Sequence, residues 1–322
     1  MKILITGANG CIGNVLVKQL IDSGHEITAL AIDANDTDKI KKFDNLKIVL
    51  SDICNKEQIE EIFFESHFQV VIHLAGIVHK SEATLKQCMA VNYEATSHLF
   101  ELSKKYNVAQ FVFASTVAIY GDDCVDVLDE ASPAHPQTPY AISKHKAEEY
   151  IESNHFNSIK YTIIRPATVY GKYDKGNVNK LFKIVKKGIV PVIGDGTNIK
   201  SFVYVENLVN GIIKTLMNPV AYNEIFIISD KKAYSVNEVV AEMAKVINKK
   251  VVIIRVPERI LMVILKAVNV ICKIIMKKEF LNSDSIKKLT TNNSLNISKA
   301  EKILNYSPKY SLEQGIKRTY GN

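Results

Sequence analysis

Lys2-Ile3-Leu4-Ile5-Thr6-Gly7-Ala8-Asn9-Gly10-Cys11-Ile12-Gly13-Asn14-Val15-Leu16-Val17-Lys18-Gln19-Leu20 is the stretch whose reading decides the fold. The apolar run Lys2 to Thr6 reads as a strand and the spacing of Val15, Leu16, Val17 and Leu20 as a helix, with the glycines between them. Gly7 permits a tight turn, Gly10 lets a diphosphate approach the backbone, and Gly13 lets the helix pack closely on the strand. At Cys11 and Ile12 the helix amino end supplies N–H donors and a partial positive charge. Strand, glycine turn and helix in this order mark a dinucleotide cradle, although the spacing GxxGxxG differs from the commoner GxGxxG.

Working outward, short apolar runs alternate with helical patterns at Glu26 to Ile32, Leu46 to Leu50, Gln69 to His73, Gln110 to Ala114 and Lys160 to Arg165. Such alternation implies right-handed crossovers and an α/β fold, a Rossmann-type doubly wound parallel sheet. From Gly171 the rhythm loosens into helices, short strands (Lys200 to Tyr204, Glu224 to Ile228, Val251 to Arg255) and turns such as Pro191 to Gly196. The expected division is therefore a cofactor-binding domain over 1–170 and a smaller α/β substrate-binding region over 171–322, interleaved with it rather than folding independently.

A chain of 322 residues, 47% of them hydrophobic, can bury a large core. Its five cysteines form no CxxC pair, so no disulfide framework and no metal site is expected, and a reducing cytoplasm fits. The net charge of +7 comes from lysines spread over many helices, which argues against nucleic-acid binding and suits an anionic diphosphate substrate. Ile260 to Met276 is strongly apolar, but Lys266 and Asn269 interrupt it. A spanning helix wants about 20 apolar residues without mid-span charge, so a packed amphipathic helix is expected, with membrane contact at most peripheral.

Ligands of such sheets sit at the carboxyl ends of the strands. After the second strand, Asp33 is placed to reach the adenosine ribose, which leans toward NAD over NADP without deciding between them. Asp52, with Ile53 beside it, is placed to accept from the adenine amino group, or else to cap the helix Lys56 to Phe64. Leu74-Ala75-Gly76 ends the fourth strand with small residues against which the cofactor can lie. Tyr140 and Lys144, four apart on a helix begun by Pro139, share one face. A tyrosine with an ordinary pKa of about 10 is a poor base at neutral pH, and a neighbouring ammonium lowers that value. Ser115-Thr116 follows the fifth strand and offers hydroxyls to a substrate oxygen.

With these residues in place the chain resembles the extended short-chain dehydrogenase/reductases, the nucleotide-sugar epimerase and dehydratase group. The resemblance rests on Gly7, Gly10 and Gly13, His73-Leu74-Ala75-Gly76, Val91-Asn92 opening a helix, Ser115-Thr116 before Tyr120-Gly121, Tyr140 and Lys144, Arg165-Pro166 before Val169-Tyr170-Gly171, and Leu304-Asn305-Tyr306-Ser307-Pro308. It implies Tyr140 as acid/base, Lys144 as its partner and a ligand of the nicotinamide ribose, Thr116 as the hydroxyl on the sugar oxygen, and Asn92 as a structural support. His79, Ser115, Asn177 and Lys200 are its implied substrate-side residues.

Within that group, dehydratases follow the threonine with Asp-Glu, whereas Val117-Ala118 stand here, so water elimination lacks its catalysts. The arginine that such epimerases carry after the Gly194-Asp195-Gly196 turn is Lys200 here, and none stands in Thr290 to Ser294. Lysine offers charge without a bidentate fork. These departures count against a standard UDP-galactose 4-epimerase, and Ser201 to Leu208, the apolar stretch 260–276 and Leu295 to Lys299 together resemble 4-reductases of UDP-4-keto-6-deoxy-N-acetylhexosamines in surface-polysaccharide biosynthesis, toward which the reading leans. A UDP-glucose or UDP-N-acetylglucosamine 4-epimerase is the alternative, and a non-catalytic dinucleotide-binding partner protein is a third reading. Two long helical patterns, Glu82 to Tyr106 and Pro139 to Asn154, suggest a homodimer joined by a four-helix bundle.

Overall fold

The computed structural model describes residues 1–35, 37, 44–78, 83–122, 127–155, 159–257, 259, 261 and 291–321. His79, Glu82 and nearly all of the apolar stretch 260–276 lie outside them.

Seven strands form one sheet: β1 (Lys2–Thr6), β2 (Glu26–Ala31), β3 (Leu46–Leu50), β4 (Val70–His73), β5 (Gln110–Ala114), β7 (Lys160–Pro166) and β11 (Glu224–Ile228). Their spatial order is β3-β2-β1-β4-β5-β7-β11, and every pairing is parallel. This is the doubly wound fold expected, with its switch point between β1 and β4, where the crossovers part to opposite sides.

Alternation along each strand sorts side chains into two layers. Ile3, Ile5, Val70, Ile72 and Val112 face Leu16, Val17 and Leu20 of α1 (Cys11–Asp22) and Leu208 and Ile212 of α7 (Val205–Thr215). Leu4, Val71, Phe111 and Phe113 face Ile59 and Phe63 of α2 (Lys56–Glu65), Leu99 and Phe100 of α4 (Ala95–Lys105), and Ile151 of α5 (Pro139–Asn154). Burial on both faces explains why these strands read as nearly continuous apolar runs.

The second half of the chain adds β8 (Thr168–Tyr170), β10 (Ile199–Tyr204) and β12 (Ala233–Ser235) as one small sheet and β9 (Ile189–Ile193) with β13 (Val252–Val256) as another. Around them α6 (Asn177–Lys187), α8 (Val236–Val246) and α10 (Leu312–Tyr320) bury Phe182, Val185, Val240, Met243 and Ile316 with Tyr170 and Tyr204 in a third core. Among the described residues no helix is long and apolar enough to cross a membrane.

Four expectations need correction. The strand Glu224–Ile228 belongs to the central sheet, because β11 hydrogen-bonds along β7. Pro191 lies inside β9 rather than in a turn, and the turn narrows to Gly194–Gly196, where both glycines take positive φ. Asn92 does not open a helix: α3 (Leu85–Cys88), capped by Thr84, runs into a π-helical turn Met89–Glu94 and then α4, with Asn92 inside the turn. Asp52 is not the cap of α2; Asn55 is, accepting from Gln58 N at 3.2 Å, while Asp52 Oδ1 accepts from Cys54 N in the preceding turn.

Candidate active site

The glycine loop is built as its sequence requires. Gly7 has φ +67, and a Cβ there would lie 2.8 Å from Ala75 N, so the loop rests directly on the end of β4. A Cβ on Gly13 would come within 2.4 Å of Gly7 O, which keeps α1 against the turn. Gly10 differs, since only Gly7 O lies near its missing Cβ. As N-cap of α1 it provides no side chain to the helix donors, so the N–H groups at Cys11, Ile12 and Gly13 begin a helix whose positive end is uncapped. That arrangement fits a diphosphate. Asp33 is exposed beyond β2, and its Oδ1 accepts from Asn35 N at 2.9 Å and from Asn9 of the loop at 3.4 Å, joining the ribose-side acid to the cradle. Ile53 is buried beside the exposed Asp52. Cys11 Sγ donates to Lys172 O, and burial, helped by the Asp174 charge, pushes its thiol up to about 12, which leaves it unreactive.

Behind the loop lies a fully buried relay. Thr96 donates to Asn92 O at 2.8 Å, so its oxygen must accept from His73 Nε2–H, and His73 Nδ1 in turn accepts from Thr6, whose oxygen accepts from Ala75 N. Burial, with the nearby Lys144 charge, holds the imidazole well below its ordinary pKa, so it is the neutral tautomer that knits β1, β4 and α4 together.

The proposed reaction centre sits at the carboxyl end of β5. Thr116 caps the short turn Val117–Tyr120, accepting from Ala118 N at 3.1 Å, and its hydroxyl lies near enough to that of Tyr140 to favour the ionised phenolate. Pro139 starts α5 as expected, with Thr138 accepting from Ala141 N. Burial pushes the Tyr140 hydroxyl up to about 12, partly offset by Thr116, and Lys144 does not lower it as the sequence led us to expect. The reason is where Lys144 points. Its ammonium donates to Ala114 O at 2.8 Å and lies 4.5 Å from the Phe113 ring centroid. Burial lowers its pKa to about 7 against the opposing pull of Glu148.

Two supports complete the site, Asn92, which the resemblance implied, and Glu148, which had no signal in the motif reading. Asn92 accepts from Ile77 N at 2.8 Å and donates to Ser143 Oγ at 3.0 Å, and a Cβ on Gly76 would strike Asn92 Oδ1 at 2.8 Å, so the small residue after β4 and the π-helical turn fit each other. Glu148 continues the Tyr140 and Lys144 row by one more turn of α5 and is wholly buried. Arg165 of β7 clamps it through Nε at 3.1 Å and Nη2 at 2.7 Å and reaches Tyr120 with Nη1 at 2.8 Å. Burial alone would raise the Glu148 carboxyl, but the His145 ring 4.0 Å away and the hydrogen bonds and charge of the Arg165 guanidinium hold it below the ordinary value. An i, i+4, i+8 row was there to be read, but only the fold brings Arg165 to its end.

The substrate-side residues are scattered. Ser115 is buried at the end of β5, where its hydroxyl has no hydrogen-bond partner among the described residues, and it does not join Thr116 and Tyr140. Asn177 is exposed at the first position of α6. Lys200 lies on β10, where Nζ donates to Thr291 Oγ1 at 3.3 Å, so the cation and the 290–294 stretch meet as a pair. Among the described residues no group of His, Cys, Asp and Glu forms a metal site.

The chain is similar to known 4-epimerases along nearly its whole length. The chain is 27% identical to the UDP-glucuronate 4-epimerase of Thermodesulfobacterium geofontis, over 98% of this chain and 94% of that protein. It is 29% identical to the UDP-glucose 4-epimerase of Vibrio cholerae, over 99% and 94%. The crystal structure of the Thermotoga maritima UDP-glucose 4-epimerase with UDP-glucose superposes with a TM-score of 0.79 at 26% identity, covering 99% of this chain and 97% of that one. The sequence profile of the NAD dependent epimerase/dehydratase family matches residues 3–229, and the chain belongs to that family.

Proposed function

We propose that the protein is an NAD-dependent UDP-hexose 4-epimerase, with Thr116, Tyr140 and Lys144 as its catalytic residues. The observation that carries this is the grouping of Thr116 at the end of β5 with Tyr140 and, one helical turn on, the buried Lys144 of α5, beside an uncapped glycine-loop helix. The relatives reported above are 4-epimerases along nearly their whole length. When bound, NAD supplies the hydride acceptor and, in its oxidised form, a positive charge.

Tyr140 and Thr116 together hold the C4 oxygen. With its hydroxyl at about 12, Tyr140 is protonated at neutral pH, the state that donates to a C4 carbonyl. Taking the proton from a C4 alcohol requires positive charge at the phenolate, which Lys144 supplies on turning from Ala114 O. His73 and Asn92 keep the loop and α5 in register. Asp33 is assigned to the ribose, Asp52 and Ile53 to the adenine, Leu74, Ala75 and Gly76 to the nicotinamide side. Residues 171–322, apart from β11, supply the nucleotide-sugar region, and α4 with α5 supplies a homodimer contact.

The second reading, a 4-keto reductase, is favoured by one observation: Lys200 bonded to Thr291 replaces an arginine fork on the diphosphate. The experiment separates the two. Purified protein is given UDP-glucose, UDP-N-acetylglucosamine and UDP-glucuronate without added cofactor, and separately a UDP-4-keto-6-deoxy-N-acetylhexosamine with NADH or NADPH. Interconversion of a C4 epimer pair without net nicotinamide change is the expected result. Stoichiometric oxidation of added cofactor with no epimerisation overturns it in favour of the reductase, and neither activity in a folded protein that holds dinucleotide supports the non-catalytic reading. Tyr140→Phe should lower turnover by roughly a hundredfold or more while dinucleotide binding survives.

A further inference from the structure

The search away from the reaction centre leads to the far end of the second half of the chain, where α6 ends and the β9–β13 pair begins. Val252 is paired in register with Ile189, and they are 63% and 57% exposed; Ile253 and Ile254 follow at 39% and 50%. Isolated exposed aliphatics are ordinary, but strand alternation puts Ile189, Val252 and Ile254 on one face of the pair as an apolar patch, with Ile253 exposed on the other. Lysines surround it. Lys186 and Lys187 occupy the last turn of α6, immediately before the Gly188 cap and Ile189. Lys249 and Lys250 precede β13, and Lys249 donates to Lys186 O, which fixes the two pairs side by side. With Lys183, residues 181–194 and 247–254 carry five cations and no carboxylate, while the charge of Arg255 is shared with the Asp195 carboxylate in the turn after β9.

We propose that this patch docks the protein onto an anionic phospholipid surface, with the aliphatic side chains entering the headgroup region and the lysines pairing with lipid phosphates. Charge complementarity selects the occupant. A nucleic acid would reward aromatic side chains on which bases stack, and the aromatic residue of these segments, Phe182, is buried and already stacked on Tyr320 at 3.7 Å. A second copy of the chain would bring the same cations against themselves. The proposal is independent of the C4 chemistry.

The test is cosedimentation of the full-length protein with vesicles of phosphatidylglycerol and phosphatidylcholine, against vesicles of phosphatidylcholine alone. Binding to the anionic vesicles is expected, weakened by high salt, and weakened at least about tenfold by Lys249→Glu with Lys250→Glu and, separately, by Val252→Ser with Ile254→Ser. Both variants alter exposed positions away from Tyr140, so their turnover and unfolding temperature should match the parent. Absence of binding to anionic vesicles overturns the proposal. So does binding that both variants retain, which places the contact elsewhere, or self-association without lipid that Val252→Ser with Ile254→Ser abolishes, which makes the patch a contact between copies.

Discussion

Strands β5 and β13 are both five residues long, both mostly apolar and both parallel-paired, yet one is the floor of the proposed active site and the other is largely open to solvent. In β5, Gln-Phe-Val-Phe-Ala, every residue is buried, with β4 hydrogen-bonded on one side and β7 on the other. In β13, Val-Ile-Ile-Arg-Val, four of five residues are exposed, and the strand pairs with β9 alone among the described residues. An apolar run thus specifies extended backbone, while burial is conferred by neighbours that arrive from distant parts of the chain. At β5 those neighbours also bear on the proposed function, because Lys144 rests on the Phe113 ring and on Ala114 O.

The contrast can be broken by mutation. Phe113→Ala should cost about 3–5 kcal/mol by denaturant unfolding, since it opens a cavity in a two-sided layer. It should also lower turnover by removing the face against which the ammonium sits. If stability falls and turnover per folded molecule does not, β5 is a structural floor only. Glu148→Gln should cost a similar or slightly smaller amount, up to about 3–5 kcal/mol, because Arg165 is left buried without its carboxylate. A change below about 1 kcal/mol would show that Tyr120 and backbone oxygens suffice to hold the guanidinium.

Lys144→Met sharpens the comparison differently, by setting function against stability at one position. Turnover should drop by roughly a hundredfold or more. The pH dependence follows from a lysine lowered by burial from 10.5 to about 7. Between those values the unfolded chain binds the proton that the folded chain has released, so stability contributed here rises with pH and is lost as pH falls through about 7. The variant should lack that rise, read as unfolding midpoints on both sides of neutrality. The smallest effect belongs to β13: Ile254→Ala should change stability by no more than about 0.5 kcal/mol and leave turnover untouched. A loss near that of Phe113→Ala would mean that β13 is as enclosed as β5.

Legibility in the sequence followed the range of the interactions. The glycine loop and the Tyr140–Lys144 face were readable because their geometry is set within a few residues by backbone sterics and helical periodicity. The clamp of Glu148 by Arg165 was not, since α5 and β7 supply one charge each and neither residue carries a local signature. Asn92 was seen as a support but placed at a helix start, because a π-helical turn shifts the hydrogen bonds without leaving a composition mark. The lowered pKa of Lys144 was missed for the opposite reason: two residues one turn apart can bond, but the structure gives the ammonium to Ala114 O instead.

The position of β11 at the end of the sheet has a consequence for synthesis. Among the described residues its one strand neighbour is β7, which is complete by Pro166, whereas β11 is made at Glu224–Ile228. Throughout the translation of the intervening residues, a finished nucleotide-binding half would present one side of β7 as an unpaired apolar edge, the kind of template on which nascent chains join one another. A chain interrupted after residue 170 would keep that edge permanently. Truncations at the apparent domain boundary should therefore aggregate, and those that include Ile228 should be the first to remain in solution.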